Sequence, residues 1–279
     1  MFQGKLYLLK TILWGLFSAW SATAVAQIIR PAGLQPLQSA VYHEHFTDIF
    51  SSKLNLAVLP SLQHFQAGAW MEKKFLLREL QQYSIMAGGP AGRGGWAFAA
   101  DHTGIATFRE WEMSLAFGRK LGSISIAGSL NHSLQSVQGY GNSGHWSLGA
   151  AMHWVVSPVI STGMQLNRIS GGFFSGKKEA RLAYGYTAGL GILLAPAVLA
   201  EVRIMKNEGQ TASVIAACHY HVPGRLMASV LLDIPEARPS MRVKWTMGWM
   251  QLGVTAAWHA VMGISPGLLL ILNTQKEKP

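Results

Sequence analysis

The chain has 279 residues, 49% of them hydrophobic and only 13% charged, with a net charge of +10. That charged share is about half the usual one for a soluble domain, and no internal run of about 18 apolar residues exists to cross a membrane as a helix. Lys and Arg are scattered rather than gathered into a stripe. The positive balance therefore points away from nucleic acid and towards anionic lipid headgroups, lipopolysaccharide or a cationic lumen.

Residues 1–26 read as a secretory signal peptide. Lys5 and Lys10 give the positive start, residues 11–20 the apolar region, and Ala24-Val25-Ala26 an A-x-A cleavage site that leaves Gln27 first. An uncleaved anchor helix is the competing reading, against which the short apolar run weighs. Residues 27–62 show no clean period. A short helix fits within 34–56, around Asp48, Ile49, Phe50 and the Ser51-Ser52 pair ahead of Asn55. Lying ahead of a barrel, this segment is expected inside the lumen as a small plug or lid.

Residues 71–80 (MEKKFLLREL) fit both periods: Met71, Phe75, Leu76 and Leu80 have helical spacing, yet the chain is β on both sides. Two strands, near 63–73 and 78–89, are expected there. The glycines Gly88, Gly89, Gly92, Gly94 and Gly95 lack the Lys-Ser/Thr ending of a phosphate loop and, with Pro90 among them, are read as a turn.

From Gly94 onward the side chains alternate. Trp96, Phe98 and Ala100 share a face, as do Trp111, Met113, Leu115 and Phe117. Between 123 and 194 the alternation is cleanest. Ile124, Ile126, Leu130 and Leu134 alternate with Ser125, Ala127, Ser129, Asn131 and Ser133. Leu182, Tyr184, Tyr186, Leu190, Ile192 and Leu194 alternate with Arg181, Ala183, Gly185, Thr187, Gly189 and Gly191. A strand has side-chain period two, so each segment has one apolar and one small or polar face. Residues 170–178 make the longest polar connection and are expected outside the cell. Further strands are expected near 198–207, 211–222, 226–234, 241–250, 252–262 and 266–273, with turns at 206–209, 223–224, 235–239 and 264–267.

About fourteen strands result. The fold expected is all-β: a transmembrane antiparallel up-and-down barrel over residues 63–274, with a short N-terminal plug-like segment and a polar tail at 275–279. A large β-sandwich has the same alternation, but its surface carries more charge than these strands do. Trp96, Trp111, Trp146, Trp154, Trp245, Trp249 and Trp258 fall on the apolar face, several near strand ends, where an aromatic girdle lies.

In order and spacing, several stretches resemble the FadL-like outer-membrane proteins of Bacteroidota, a group related to the long-chain fatty-acid transporter and to PorV-type barrels. They are 74–84 (KFLLRELQQYS), 94–98 (GGWAF), 115–122 (LAFGRKLG), 139–142 (GYGN) and 263–270 (GISPGLLL). The resemblance implies a fourteen-stranded barrel with an N-terminal segment entering the lumen. Two departures stand out. Where the fatty-acid transporters carry Asn-Pro-Ala, this chain has Asn55-Leu56-Ala57, and its last strand ends near Leu272-Asn273 without a terminal aromatic residue.

By alternation Glu110, Glu112, Arg181, Glu201, Arg203, Asp233, Arg242 and Lys244 face the lumen, since Arg or Lys on the lipid face costs about 2–4 kcal/mol near the midplane. They are expected to pair, either closing the interior or forming a polar path. His43-Glu44-His45 lacks the second histidine at helical spacing that a zinc-protease motif needs. His219 and His221 share a strand face that Cys218 and Tyr220 do not, and simple lumen polarity is the reading preferred to a metal pair. Cys218 is the single cysteine, so there is no internal disulfide framework.

With no Ser-His-Asp spacing, phosphate loop or paired-Cys motif, neither enzyme, cofactor nor metal is expected. The expected function is an exported outer-membrane barrel that binds or passes hydrophobic small molecules such as fatty acids. A non-transporting structural or interaction barrel, for example an accessory subunit of a secretion system, is the alternative.

Overall fold

A computed structural model describes residues 39–105, 107–169, 185–207, 211–234 and 237–274. The signal-peptide region, the 170–178 connection, Arg181 and the 275–279 tail lie outside the described residues. Fourteen strands close into one barrel in which each pairs antiparallel with its sequence neighbours and the first pairs with the last. They are β1 (Gln66–Lys73), β2 (Gln81–Ala91), β3 (Gly94–Gly104), β4 (Phe108–Leu121), β5 (Ile124–Val137), β6 (Gly141–Val155), β7 (Ile160–Ile169), β8 (Gly185–Ala195), β9 (Val198–Asn207), β10 (Ser213–Val222), β11 (Leu226–Asp233), β12 (Arg238–Met247), β13 (Met250–His259) and β14 (Gly263–Asn273). Closure comes from seven consecutive partners, Gln66↔Asn273 through Glu72↔Gly267. Among the described residues no strand edge is left to pair with another chain.

Alternation decides which face is which. On β5, Ile126, Leu130 and Leu134 are exposed on the outside, whereas Ser125, Ser129, Asn131 and Ser133 are buried on the inside. On β11, Val230 and Leu232 are outside and Ser229, Leu231 and Asp233 inside. Small inward residues let the interior accept another piece of chain. His132, an outward imidazole, lies against the Trp146 ring at 4.3 Å between centroids.

The connections differ between the two ends. At the end where β1 begins and β14 finishes, the turns are 92–93, 122–123, 156–159, 196–197, 223–225 and 248–249. At the other end the connections are 74–80, 105–107, 138–140, 170–184, 208–212, 234–237 and 260–262. These are called the turn end and the loop end.

Four expectations need correction, the first being the turn read at 264–267, which lies inside β14 (Gly263–Asn273). The glycine-rich stretch around Pro90 is not a turn. Gly88 and Gly89 sit inside β2, Gly94 and Gly95 open β3, and only Gly92-Arg93 turns, with Gly92 at φ 61. The reason is room rather than bending: a Cβ on Gly95 would strike the Leu59 carbonyl, and one on Gly88 would meet the Ile49 side chain at 2.8 Å. β12 starts at Arg238, ahead of the expected 241, so Pro239 belongs to the strand and the turn tightens at Ala237 (φ 45). Near the strand start and facing out, Pro239 fits a place where proline is tolerated in a sheet. Finally, 74–80 is two short 3-10 helices, Lys74–Leu76 and Arg78–Leu80, bridging β1 and β2.

Candidate functional site

Residues 39–62 pack against the inward faces of the strands. They form three 3-10 helices, Glu44–Phe46, Ile49–Lys53 and Leu56–Ser61, where the sequence suggested one short helix. Asp48 starts the second: its Oδ1 accepts from the Phe50 and Ser51 amides at 3.1 and 3.2 Å, and Ser51 Oγ accepts the Asp48 amide at 3.0 Å. This reciprocal cap satisfies donors that no helix bond reaches. Asn55 caps the third helix through the Ala57 amide at 2.9 Å and donates to the Met152 carbonyl at 3.1 Å, so it tethers the segment to β6.

Apolar contacts hold one side. Ile49, Phe50, Leu59 and Leu62 are buried with Trp70, Met86, Ala97, Ala99, Ala116, Leu269 and Ile271, which face inward from β1 to β4 and β14. Across the lumen Tyr42 lies against β8, where a Cβ on Gly189 would come within 2.7 Å of its ring and one on Gly191 would also clash with it. Glycine on an inward strand position here marks the close approach of a second piece of chain.

Charges hold the other side. Glu201 Oε1 accepts from the Val41 and Tyr42 amides, both at 2.8 Å. Its Oε2 lies 3.5 Å from His219 Nε2 and 4.0 Å from Arg203 Nε. His219 Nδ1 is 2.8 Å from Ser229 Oγ. Asp48 Oδ2 meets Lys244 Nζ at 3.1 Å and Arg242 Nη2 at 3.5 Å, and Arg242 Nη1 donates to Ser39 Oγ at 2.9 Å. Lys53 pairs with Asp101, while Gln165 accepts from the Leu56 amide at 2.6 Å and donates to the Lys53 carbonyl at 3.2 Å. Buried charges persist only when paired and hydrogen-bonded, and the Asp48 pairs with Lys244 and Arg242 and the Lys53 pair with Asp101 join segment to wall.

Of the expected lumen charges, Glu201, Arg203, Asp233, Arg242 and Lys244 are buried on the inner face, and Glu110 and Glu112 are half-buried there. Glu201, Arg203, Arg242 and Lys244 meet the segment. Asp233 instead pairs with Arg238 at 3.4 Å nearer the loop end, and Glu110 takes a long contact from Gln135 at 3.5 Å. Trp111, Trp146, Trp154, Trp245, Trp249 and Trp258 are exposed on the outside; Trp96 also faces out but is half-covered by Phe65, 6.2 Å away. By strand position Trp96, Trp154, Trp245 and Trp249 lie towards the turn end, and Trp111, Trp146 and Trp258 towards the loop end. His221 does not join His219 in a metal pair but packs on Phe46 at 5.6 Å, and the described residues hold no group of three metal-ligating side chains. Cys218 points outward and is free. Partial burial, with His45 alongside, holds the His43 imidazole below the usual histidine range, with Glu44 acting the other way.

Towards the loop end the lumen opens into a small cavity continuous with solvent. Trp70, Phe75, Ile215 and Leu231 give it apolar walls, and Arg203, Asp233, Arg238 and Thr255 give it polar ones. Part of its rim is the 74–80 connection. There Phe75 (φ 53) and Leu76 (φ 58) take the left-handed conformation in succession, an arrangement costly without glycine. The Phe75 amide donates to Ser265 Oγ at 2.9 Å and its ring sits edge-on to His259, which fixes the connection against β13 and β14.

Sequence pattern missed Tyr42, Asp48, Lys53, Asp101, Trp70 and Thr255, because alternation assigns a face but no partner. Two signals were present: the Asp48-x-x-Ser51 capping spacing, and Gly189 and Gly191 on the polar parity of an otherwise apolar-walled strand.

No family model and no curated protein matches this sequence. Solved structures do match. The chain is similar to the TodX deltaS2S3 mutant monoaromatic hydrocarbon channel, at 8% identity over 87% of this chain and 96% of that one (TM-score 0.59). It is similar to the Pseudomonas putida toluene transporter TodX, at 10% identity over 84% and 93% (TM-score 0.55), and to the CymD monoaromatic hydrocarbon channel, at 9% over 83% and 93% (TM-score 0.54). At these identities the likeness is one of fold: a closed β-barrel in the architecture of outer-membrane channels.

Proposed function

We propose that the chain is an outer-membrane barrel that admits small hydrophobic molecules at its loop end, with residues 39–62 as the stopper of its lumen. The observation that carries this is the cavity, open at the loop end and walled in part by Trp70, Phe75, Ile215 and Leu231, lying above a separately anchored segment. The unequal connections support an orientation with the turn end on the periplasmic side, since outer-membrane barrels keep short turns there. On β6, Trp146 and Trp154 are eight residues apart, about 27 Å along the strand and about 20 Å once tilted, close to the roughly 25 Å apolar band of such barrels. Phospholipid and lipopolysaccharide would surround this band, after export and removal of a leader near Ala26. The FadL-like order of motifs is in keeping with this reading, and the fold speaks for a channel rather than an enzyme.

A second reading, a closed structural or interaction barrel, is favoured by one observation: the stopper's charges are paired and the strand ladder is continuous around the wall. Uptake separates the two. Liposomes carrying the purified protein are expected to take up toluene faster than empty ones; equal rates would leave the closed barrel as the better account. The membrane placement has its own check. Leu115 is exposed at the middle of β4, so Leu115→Arg is expected to cost about 2–4 kcal/mol in urea titrations of barrels folded into vesicles. A shift near zero would mean that this face is not in lipid.

A further inference from the structure

The outer wall carries charge of one sign. Among the described residues no Asp or Glu falls on an outward strand position: Glu72, Asp101, Glu110, Glu112, Glu201 and Asp233 all take the inward parity. Lys73, Arg109, Arg119 and Lys206 take the outward one. Lys73, Arg109 and Lys206 stand at the loop end of their strands, and Arg119 at the turn end. Cations on this face are tolerated only at the margins of the apolar band. With no carboxylate beside them on the wall, they are suited to a negatively charged partner in the membrane.

Two of these cations belong to one patch. Met71, Tyr83, His102 and Trp111 are successive partners across β1 to β4 and share the outward face. The His102 and Trp111 ring centroids are 4.5 Å apart, and those of Tyr83 and His102 6.1 Å. The three rings form a shelf at the depth of the loop-end tryptophans. Two residues further towards the loop end, about 7 Å along the strand, Lys73 pairs with Gln81 and Arg109 with Gly104. Both cations therefore occupy the next outward row, three strand spacings or about 14 Å apart. The Tyr83 hydroxyl donates to Gln81 Oε1 at 2.7 Å and ties the shelf to that row. Beyond it the 74–80 connection adds Arg78 and Glu79, both exposed and opposite in sign. Interfacial aromatic rings sit at headgroup level, so cations one row further out stand at the height of headgroup phosphates.

We propose that this patch binds the phosphorylated glycolipid of the outer leaflet, lipopolysaccharide, with one phosphate of its disaccharide on Arg109 and the other on Lys73. The sugar rings rest on the Tyr83, His102 and Trp111 shelf, and acyl chains run down the wall over the outward Ile85 and Met113. The inference rests on the membrane reading with the loop end outside, and gives that reading a specific lipid partner. Spacing selects the glycolipid. A phospholipid headgroup with a single phosphate meets one of the two cations, whereas a disaccharide phosphorylated at both ends reaches both and covers the rings between them. Each Lys or Arg beside an anionic membrane component strengthens binding by about fivefold.

Bisphosphoryl lipid A is the probe, added to the detergent-solubilised full-length protein and read by native mass spectrometry, with monophosphoryl lipid A and phosphatidylglycerol as comparison lipids. The native protein is expected to retain one lipid A and to hold either comparison lipid about fivefold more weakly, the effect of one unmatched cation. Lys73→Gln and Arg109→Gln are each expected to weaken lipid A binding about fivefold, and Arg119→Gln at the turn end to leave it unchanged. Heat-modifiable migration on gels checks that every variant still closes its barrel. No lipid A adduct, phosphatidylglycerol held as tightly as lipid A, an equal loss in Arg119→Gln, or no loss when Lys73→Gln and Arg109→Gln are combined would each overturn the proposal. So would protein dimers in place of lipid adducts. Toluene uptake by liposomes without any lipid A adduct would sink this site and leave the channel reading standing. Lipid A adducts without toluene uptake would support the site and tell against the channel.

Discussion

Asp48→Ala is expected to free the stopper and weaken the whole molecule by roughly 3–5 kcal/mol, the cost of stripping the partner from a buried charge. A single carboxylate here does two jobs. Its Oδ2 faces Lys244 and Arg242 at 3.1 and 3.5 Å, and its Oδ1 caps the Ile49–Lys53 helix. Removing it takes the carboxylate away from two buried cations on the inner wall, and opens a helix start worth about 1 kcal/mol. Two measurements check this: the urea midpoint of the folded barrel, and trypsin cleavage after Lys53, which is paired with Asp101 and shielded while the segment is seated. Asp48→Asn separates the two jobs, because the amide oxygen can still cap while the charge is gone. Trypsin resistance and an unchanged midpoint in Asp48→Ala would mean that the ion pairs do not hold the segment.

Glu201→Ala is expected to act at the other end of the same segment with a loss of similar size. Glu201 is the acceptor for the Val41 and Tyr42 amides at 2.8 Å, and the anion beside His219 and Arg203. Without it two backbone donors and a guanidinium lie buried and poorly compensated, each a cost of about 1–3 kcal/mol. Tyr42 should then leave the Gly189 and Gly191 recess, opening the turn end while the fourteen-strand wall stays closed. The readout is conductance in planar bilayers, which should rise in Glu201→Ala and stay low in Glu201→Gln, where an amide oxygen still meets the Val41 and Tyr42 N–H groups. Conductance equal to that of the native protein in both variants would show that Glu201 does not hold the segment.

The wall of this molecule was readable in the sequence because a barrel is built from a local rule. Side-chain parity on β4, β5 and β6 assigns inside and outside residue by residue, and the outward tryptophans and inward glutamates follow from it. Where a second packing demand overrides the local rule, the reading failed. The glycines of β2 and β3 look like a turn because glycine favours turns, yet here they are strand residues made small by Ile49 and Leu59. Pro239 looks like a boundary but faces out at the start of a strand. The site was less legible still. Nothing in the local pattern ties Asp48 to Lys244, 196 residues away, or sets Trp70 beside Thr255, because those neighbours exist only once β1 meets β14.

That long separation bears on the order in which the molecule is made. Asp48 of the segment meets β12 and the Val41 and Tyr42 amides meet β9, both in the late part of the chain, whereas Lys53 pairs with Asp101 on β3 and the larger apolar cluster lies on β1 to β4 and on β14. During assembly the early strands offer the segment a greasy surface at once, but the Asp48 and Glu201 locks have no counterpart until the last strands have joined the first. Locking thus reports completion: a barrel that has failed to close carries Arg242 and Lys244 uncovered and a loose N-terminal segment, both visible to a protease or chaperone, while a finished one conceals them together.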